Sequence, residues 1–312
     1  ALIDDMKNAY HITQPIITKT DKEDYKTVFS DSIMLNVSRG CTRGCRFCMS
    51  SYLYRPLRET TIKELVNIAL KTRENTNLNK ITLIGAAVGD YYDLEGLTKA
   101  LESEGFQIAT PSLRIDSLSR ETLETLKKSG LKSITIAPES ISTLRERINK
   151  SISDEKIFSV IKNAVDLDFN IKLYFLIGIP YESKEDIEEL ANYIEKIANM
   201  HKNRNYIKFS INPVIPKPQT PLQWEVYNFK EIKSKTRYLK KKLRKYNVKF
   251  ESPKKGLIQY ILSCGNREVG AVIEKSLTEE VTLKEWQSYL PNYNINDELP
   301  WSKIDIGIKS NF

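Results

Sequence analysis

Three of the chain's four cysteines fall within eight residues, Cys41-Thr42-Arg43-Gly44-Cys45-Arg46-Phe47-Cys48, at the spacing C-x3-C-x2-C. Thiolates that close together can face one metal centre, and no fourth cysteine lies near enough in sequence to complete the set. A structural zinc site wants four ligands closing a tetrahedron, yet the only histidines, His11 and His201, form no ligand pair. A disulfide framework would staple almost nothing in a chain of 312 residues with its cysteines so clustered. An iron-sulfur cluster held by thiolates suits the spacing better, and the spacing differs from the C-x2-C-x2-C run of bacterial ferredoxins. The residues therefore point to a four-iron four-sulfur cluster on Cys41, Cys45 and Cys48 with one corner left open. Zinc and a group of buried thiols are the alternatives.

A loop has to carry these ligands, and Gly40 and Gly44 permit the tight path it needs. The segment Ser32 to Val37 reads as a short strand that delivers the chain into this loop. Strands and helices then alternate. Lys80 to Ile84, Gln107 to Leu113, Ser133 to Ala137, Asn170 to Ile177 and Tyr206 to Val214 read as further strands, each followed by a helical pattern. Thr60 or Thr61, Ser119 and Ser183 can cap helices, and Gly130 can end one. Six strands each followed by a helix imply a parallel sheet with right-handed crossovers. Val248 to Glu251 reads as one further strand, and a helix through Leu257 and Ile261 leads to Cys264.

In parallel α/β architectures ligands bind at the carboxyl ends of the strands. That rule gathers the other candidates onto the face of the cysteine loop. Gly85 and Ala86 follow the second strand, where small residues let backbone approach a ligand. Ser112, Arg114 and Asp116 share one face at period two. Arg114 can clamp a carboxylate bidentately, or it pairs with Asp116 and only closes the mouth. Glu139 ends the fourth strand as a hydrogen-bond acceptor for a ribose or ammonium group. Arg145, a turn or two further on, reaches a carboxylate or is a solvated helix residue beside Glu146 and Arg147. Ile177 and Gly178 end the fifth strand, and Ser210 and Asn212 the sixth. Lys217, Thr220 and Trp224 follow on a loop stiffened by prolines, a candidate substrate wall. Cys264 reads either as a small buried residue or as a redox or cluster group.

Cys41, Cys45, Phe47 and Cys48 resemble the signature of the radical S-adenosylmethionine enzymes. Gly40 to Glu59, Pro111 to Leu118, Thr135 to Glu139, Lys217 to Trp224 and Leu299 to Gly307 further resemble one family of that group, often fused to an N-terminal cobalamin-binding domain. The likeness runs from about residue 32 to the end. It implies an open (β/α)6 partial TIM barrel in which three cysteines bind three irons and S-adenosylmethionine chelates the fourth. Reductive cleavage then gives a 5′-deoxyadenosyl radical that abstracts hydrogen from a substrate, with methylation as one outcome. The likeness places the methionine end of the cofactor near Gly85 and Ala86, although the usual Gly-Gly-Glu is replaced, and the adenine near Ile177 and Gly178. Phe47, Ser112, Arg114, Glu139, Arg145, Ser210 and Asn212 complete the expected cofactor site. It also implies an electron donor such as ferredoxin or flavodoxin, and cobalamin only through a domain or partner outside this chain.

Three segments are expected: a lead-in over 1–31, a catalytic core over 32–228, and an extension over 229–312 with a Lys-rich helix and a small appendage. Hydrophobic content of 40% and charged content of 28% are those of a globular protein, and no apolar run reaches the ~18 residues of a membrane span. Reduced thiols poised for a metal suggest the cytoplasm. The missing initiator Met and the end at Phe312 suggest a piece of a longer protein. The net charge is +8, and much of it is concentrated between Lys230 and Lys249. It reads as the solvated face of a helix whose apolar stripe is Ile232, Tyr238, Leu239 and Leu243, with an RNA-binding surface as the alternative. An electron-transfer iron-sulfur protein is the rival for the cysteine loop.

Overall fold

The computed structural model describes residues 5, 6, 9–16, 31–203 and 205–306. Most of the expected lead-in and Gly307 lie outside the described residues. The chain divides into two compact units, one of Ala1–Thr42, Tyr54–Ala137 and Ser153–Lys172, the other of Arg43–Leu53, Pro138–Ile152 and Leu173–Phe312.

In chain order the strands are β1 (Ile33–Asn36), β2 (Ser38–Arg39), β3 (Arg58–Glu59), β4 (Lys80–Ile84), β5 (Gln107–Ala109), β6 (Ser133–Glu139), β7 (Asn170–Ile177), β8 (Ile207–Pro213) and β9 (Val248–Phe250). The helices are α1 (Ser50–Leu53), α2 (Ile62–Thr76), α3 (Leu94–Ser103), α4 (Arg120–Lys128), α5 (Ser142–Arg147), α6 (Asp154–Asp166), α7 (Lys184–Ala198), α8 (Phe229–Lys242), α9 (Pro253–Cys264), α10 (Val269–Lys275) and α11 (Leu283–Gln287). The fold is α/β with parallel sheets, and the described strands form no closed barrel. One sheet has the order β1-β4-β5 and another β6-β7-β8-β9. β1 pairs with β4, β4 with β5 and β8 with β9, all parallel.

Local chemistry sets most of the helix starts. Thr61 and Ser183 each form a capping box, with Glu64 and Asp186 respectively, and the Ser119 hydroxyl accepts from Thr122 N. Along β7, Ile171, Leu173, Phe175 and Ile177 are buried while Lys172, Tyr174 and Leu176 keep access to solvent. Burying each of the four contributes about 1.5–3 kcal/mol.

Two expectations change. The third strand stops at Ala109 rather than Leu113, because Pro111 brings no N–H to a ladder; Leu113 regains a single parallel bridge to Ile136. β9, placed by the sequence in the extension, joins the main sheet beside β8 with Ile211 opposite Phe250. Among the described residues no helix is long and apolar enough to cross a membrane.

Candidate active site

The cysteine loop leaves from a short antiparallel ribbon in which Ser38 pairs with Glu59 and Arg39 with Arg58. Thr60 N adds a bond to Val37 O at 3.0 Å. The family-like segment ending at Glu59 is thus the return strand of the loop's base. Gly40, next to the ribbon, has φ +92°, and a Cβ there would run into the carbonyls of Tyr54 and Pro56. No other residue fits that corner. None of the three loop cysteines is in a disulfide, and Cys41 and Cys45 are buried. Among the described residues no three His, Cys, Asp or Glu side chains close on a single ion. A cluster instead receives its thiolates on separate irons.

Between Cys41 and Cys48 the loop backbone is held by the segment after α5. Arg46 N donates to Ile148 O at 3.0 Å, Arg46 Nη1 to Arg147 O at 2.6 Å, and Asn149 Nδ2 to the carbonyls of Arg43 and Gly44 at 3.1 and 2.9 Å. Cys48 N bonds Cys45 O at 3.0 Å, and Tyr52 OH donates to Gly44 O at 2.9 Å. Asn149 takes φ +54°, a conformation asparagine tolerates better than most side chains.

That brace stands on two residues expected to meet the cofactor. Arg145 is fully buried rather than solvated, with Nε on Ile152 O at 3.0 Å and Nη1 on Ser140 O at 2.5 Å. Its charge is dispersed over carbonyl dipoles inside the turn, and its guanidinium lies 5.9 Å from the Tyr193 ring. Glu139 sits at φ +68° and is paired with Lys150 at 2.6 Å, both side chains buried. Both residues shape the turn that holds the loop. Lys150 and Asn149 were missed in the sequence, although an Asn just past a helix end is a recognised left-handed stop.

In the first unit, Gly85 follows β4 beside two buried polar atoms with no partner, Asn36 Oδ1 and Ser38 Oγ. A Cβ on Gly85 would come within 2.7 Å of Ser38 Oγ. Ala86 is exposed next to it. Asn36 and Ser38 were also missed; their signal was polar residues at period two where a strand runs into the loop. Arg114 is committed to Asp116 through two bonds of 3.0 and 2.9 Å and lies 3.4 Å from Asp90. Of the two readings offered for Arg114, the pairing with Asp116 is therefore present. Ser112 is exposed. Burial pushes the Glu59 carboxyl up, against a bond from Tyr92 N.

In the second unit, a cavity of about 330 Å³ at the carboxyl ends of β7 and β8 is lined by Phe47, Leu176, Asn212, Lys217, Glu251 and Gln259 among others. Phe47 of the cysteine loop and Asn212 line the same cavity, and Ser210 Oγ lies 3.4 Å from Asn212 Oδ1. Ile177 is buried, and Gly178, at φ +79°, donates its N–H to Glu182 Oε2 at 2.7 Å. A Cβ on Gly178 would strike Ile232. Burial pushes the Glu182 carboxyl up, partly offset by Lys235 at 2.8 Å. A larger cavity of about 750 Å³ lies beyond Gly178, walled by Glu182, Trp224, Tyr227 and Ile232.

The Lys-rich α8 buries Ile232 and Leu239, but Tyr238 of the expected stripe is exposed and Lys235 of the expected charged face is buried on Glu182 and Glu231. Cys264 is fully buried, donates to Pro216 O at 3.4 Å, and burial pushes its thiol up to about 12. It is a neutral packing group.

A sequence model of the radical SAM superfamily matches residues 35–194, just over half of the chain. The chain belongs to the radical SAM superfamily. An uncharacterised protein of Methanocaldococcus jannaschii is 35% identical over 270 residues, covering 84% of this chain and 58% of that protein. The cytidylyl-2-hydroxyethylphosphonate methyltransferase of Streptomyces wedmorensis is 28% identical over 181 residues, covering 54% and 34%. The chain thus spans from a third to somewhat over half of the length of these two relatives. The radical S-adenosylmethionine methyltransferase TsrM of Kitasatospora setae, solved with cobalamin and a [4Fe-4S] cluster, shares the fold with a TM-score of 0.52 at 10% identity, over 63% of this chain and 39% of that one. The radical SAM donor set fits what is present: three cysteines outside any disulfide, two of them buried, on a loop closed at its base. The orphaned Asn36 Oδ1 and Ser38 Oγ beside Gly85 fit the polar methionine end of S-adenosylmethionine.

Proposed function

We propose that this chain is the catalytic core of a radical S-adenosylmethionine enzyme, with Cys41, Cys45 and Cys48 as ligands of a four-iron four-sulfur cluster. The observation that carries the reading is the three-cysteine loop, closed by β2 and β3 and braced by Arg46 and Asn149, in a member of that superfamily. When bound, the cluster supplies the electron that cleaves S-adenosylmethionine to methionine and a 5′-deoxyadenosyl radical.

The chain's residues bind, orient and shield. Asn36, Ser38, Gly85 and Ala86 receive the methionine end. Phe47, Ile177, Gly178, Ser210 and Asn212 bound the adenosine and the substrate. Ser112 and the Arg114–Asp116 pair border the mouth, while Arg145 and Glu139 hold the turn behind the loop. Burial of Cys41 and Cys45 limits water and stray hydrogen donors near the radical. Hydrogen abstraction followed by methylation is one course, with cobalamin from a separate domain or partner and electrons from a ferredoxin or flavodoxin in the cytoplasm.

The test is electron paramagnetic resonance of the anaerobically reconstituted, reduced protein with and without S-adenosylmethionine. The spectrum changes when the cofactor binds the open iron. An unchanged spectrum, with full iron, fits an electron-transfer protein instead.

A further inference from the structure

The cavity beside Phe47 contains a cation, Lys217, that has no carboxylate within ion-pair distance among the described residues, although Glu251 lines the same cavity. Lys217 is half-buried in its wall, and its Nζ donates to Ser263 Oγ at 3.1 Å. Among the described residues it forms no ion pair, whereas the buried Lys150 and Lys235 of the same unit each hold a carboxylate. The nearby Cys264 cannot serve, because a thiol pushed up to about 12 is neutral at ordinary pH. Burial accordingly holds the Lys217 ammonium below the usual lysine range. Removing an ammonium from water without an anion costs free energy that a bound anion would offset.

The position of Lys217 is fixed in advance. Its carbonyl accepts from Thr220 Oγ1 at 2.8 Å, and Pro213, Pro216, Pro218 and Pro221 restrict the backbone on both sides. Gln219 Nε2 donates to Trp301 O and Ile304 O at 3.2 and 2.8 Å, and Trp301 Nε1 returns to Gln223 Oε1 at 2.7 Å. Two separate family-like segments are thereby joined at Gln219, two residues from Lys217. Such preorganisation reduces the ordering cost of binding.

We infer that Lys217 anchors the carboxylate or phosphate of a small anionic substrate in this cavity. Asn212, Gln259 and Glu251 line the same space, so the remainder of the substrate carries hydrogen-bond donors such as hydroxyl or amine. The inference rests on the radical S-adenosylmethionine reading, since that reading makes the cavity a substrate site.

The test titrates L-lactate, glycerol 3-phosphate and uncharged glycerol into the cluster-loaded, unreduced protein, reading the thermal midpoint with and without saturating S-adenosylmethionine. At least one anion raises the midpoint saturably, in both conditions, and glycerol does not. Lys217→Met binds that anion at least 10-fold more weakly, while the exposed Lys240→Met binds it normally. Which anion responds separates a carboxylate from a phosphate substrate. The Met variant alone melts no lower than the parent, because an uncompensated charge has gone. Three outcomes overturn the inference: no saturable anion effect, full binding by Lys217→Met, or loss of the effect when S-adenosylmethionine is present, which would give Lys217 to the cofactor's own carboxylate. A several-degree fall in the variant's midpoint would make Lys217 structural and also overturn it. None of these readouts requires cofactor cleavage, so failure of the enzyme reading is detected separately.

Discussion

The side-chain amide of Asn149 donates to the carbonyl of Gly44 at 2.9 Å, tying a residue 105 positions downstream to the backbone between the first two candidate cluster ligands. The same amide reaches Arg43 O at 3.1 Å. Asn149→Gly keeps the left-handed backbone while deleting both bonds, at a cost of about 1–3 kcal/mol. After reconstitution this variant holds less iron per chain than the parent and loses it faster to a chelator, with circular dichroism unchanged. Equal iron retention would mean that the brace does not position the ligands.

Glu139 and Lys150 form a buried pair, and breaking one side strands a charge. Lys150→Met lowers stability by about 3–5 kcal/mol, read by denaturant unfolding. Glu139→Gln combined with Lys150→Met recovers much of the loss, since neither charge is left alone. If the double variant is as unstable as the sum of the two singles, the residues are not coupled.

Arg145 uses a planar fork on Ser140 O and Ile152 O. A lysine cannot span both carbonyls in the same geometry, so Arg145→Lys loses about 1.5–3 kcal/mol. Iron content falls with it, because the turn behind the cysteine loop loosens. A variant with parental stability would return Arg145 to the group of direct cofactor contacts.

Cys264 stays protonated below about 12. Iodoacetamide therefore leaves it unlabelled in the native protein from pH 7 to 9, where an ordinary free thiol gains thiolate steadily. Peptide mass spectrometry after labelling in denaturant shows the adduct. Native labelling that rises with pH would contradict the buried assignment.

Much of this was legible locally. The bounds of β4 and β7 follow directly from their sequence patterns, and Thr61, Ser119 and Ser183 start helices for reasons contained within four residues. The pairs that shape the site were not. Glu139 meets Lys150 across a turn, and Arg145 is buried by the path of residues 140–152 rather than by the periodicity of α5. From spacing alone Arg145 looked like a solvated helix residue or a ligand clamp. β9 resembled part of an appendage because three residues carry too weak a pattern to reveal a partner strand.

The most direct measurement is the product assay: reduced, reconstituted protein incubated anaerobically with S-adenosylmethionine, followed by quantification of 5′-deoxyadenosine and methionine. The expected result is formation of both above a Cys45→Ala control with matched protein. No 5′-deoxyadenosine above that control, from protein shown to carry its full cluster, would contradict the central claim.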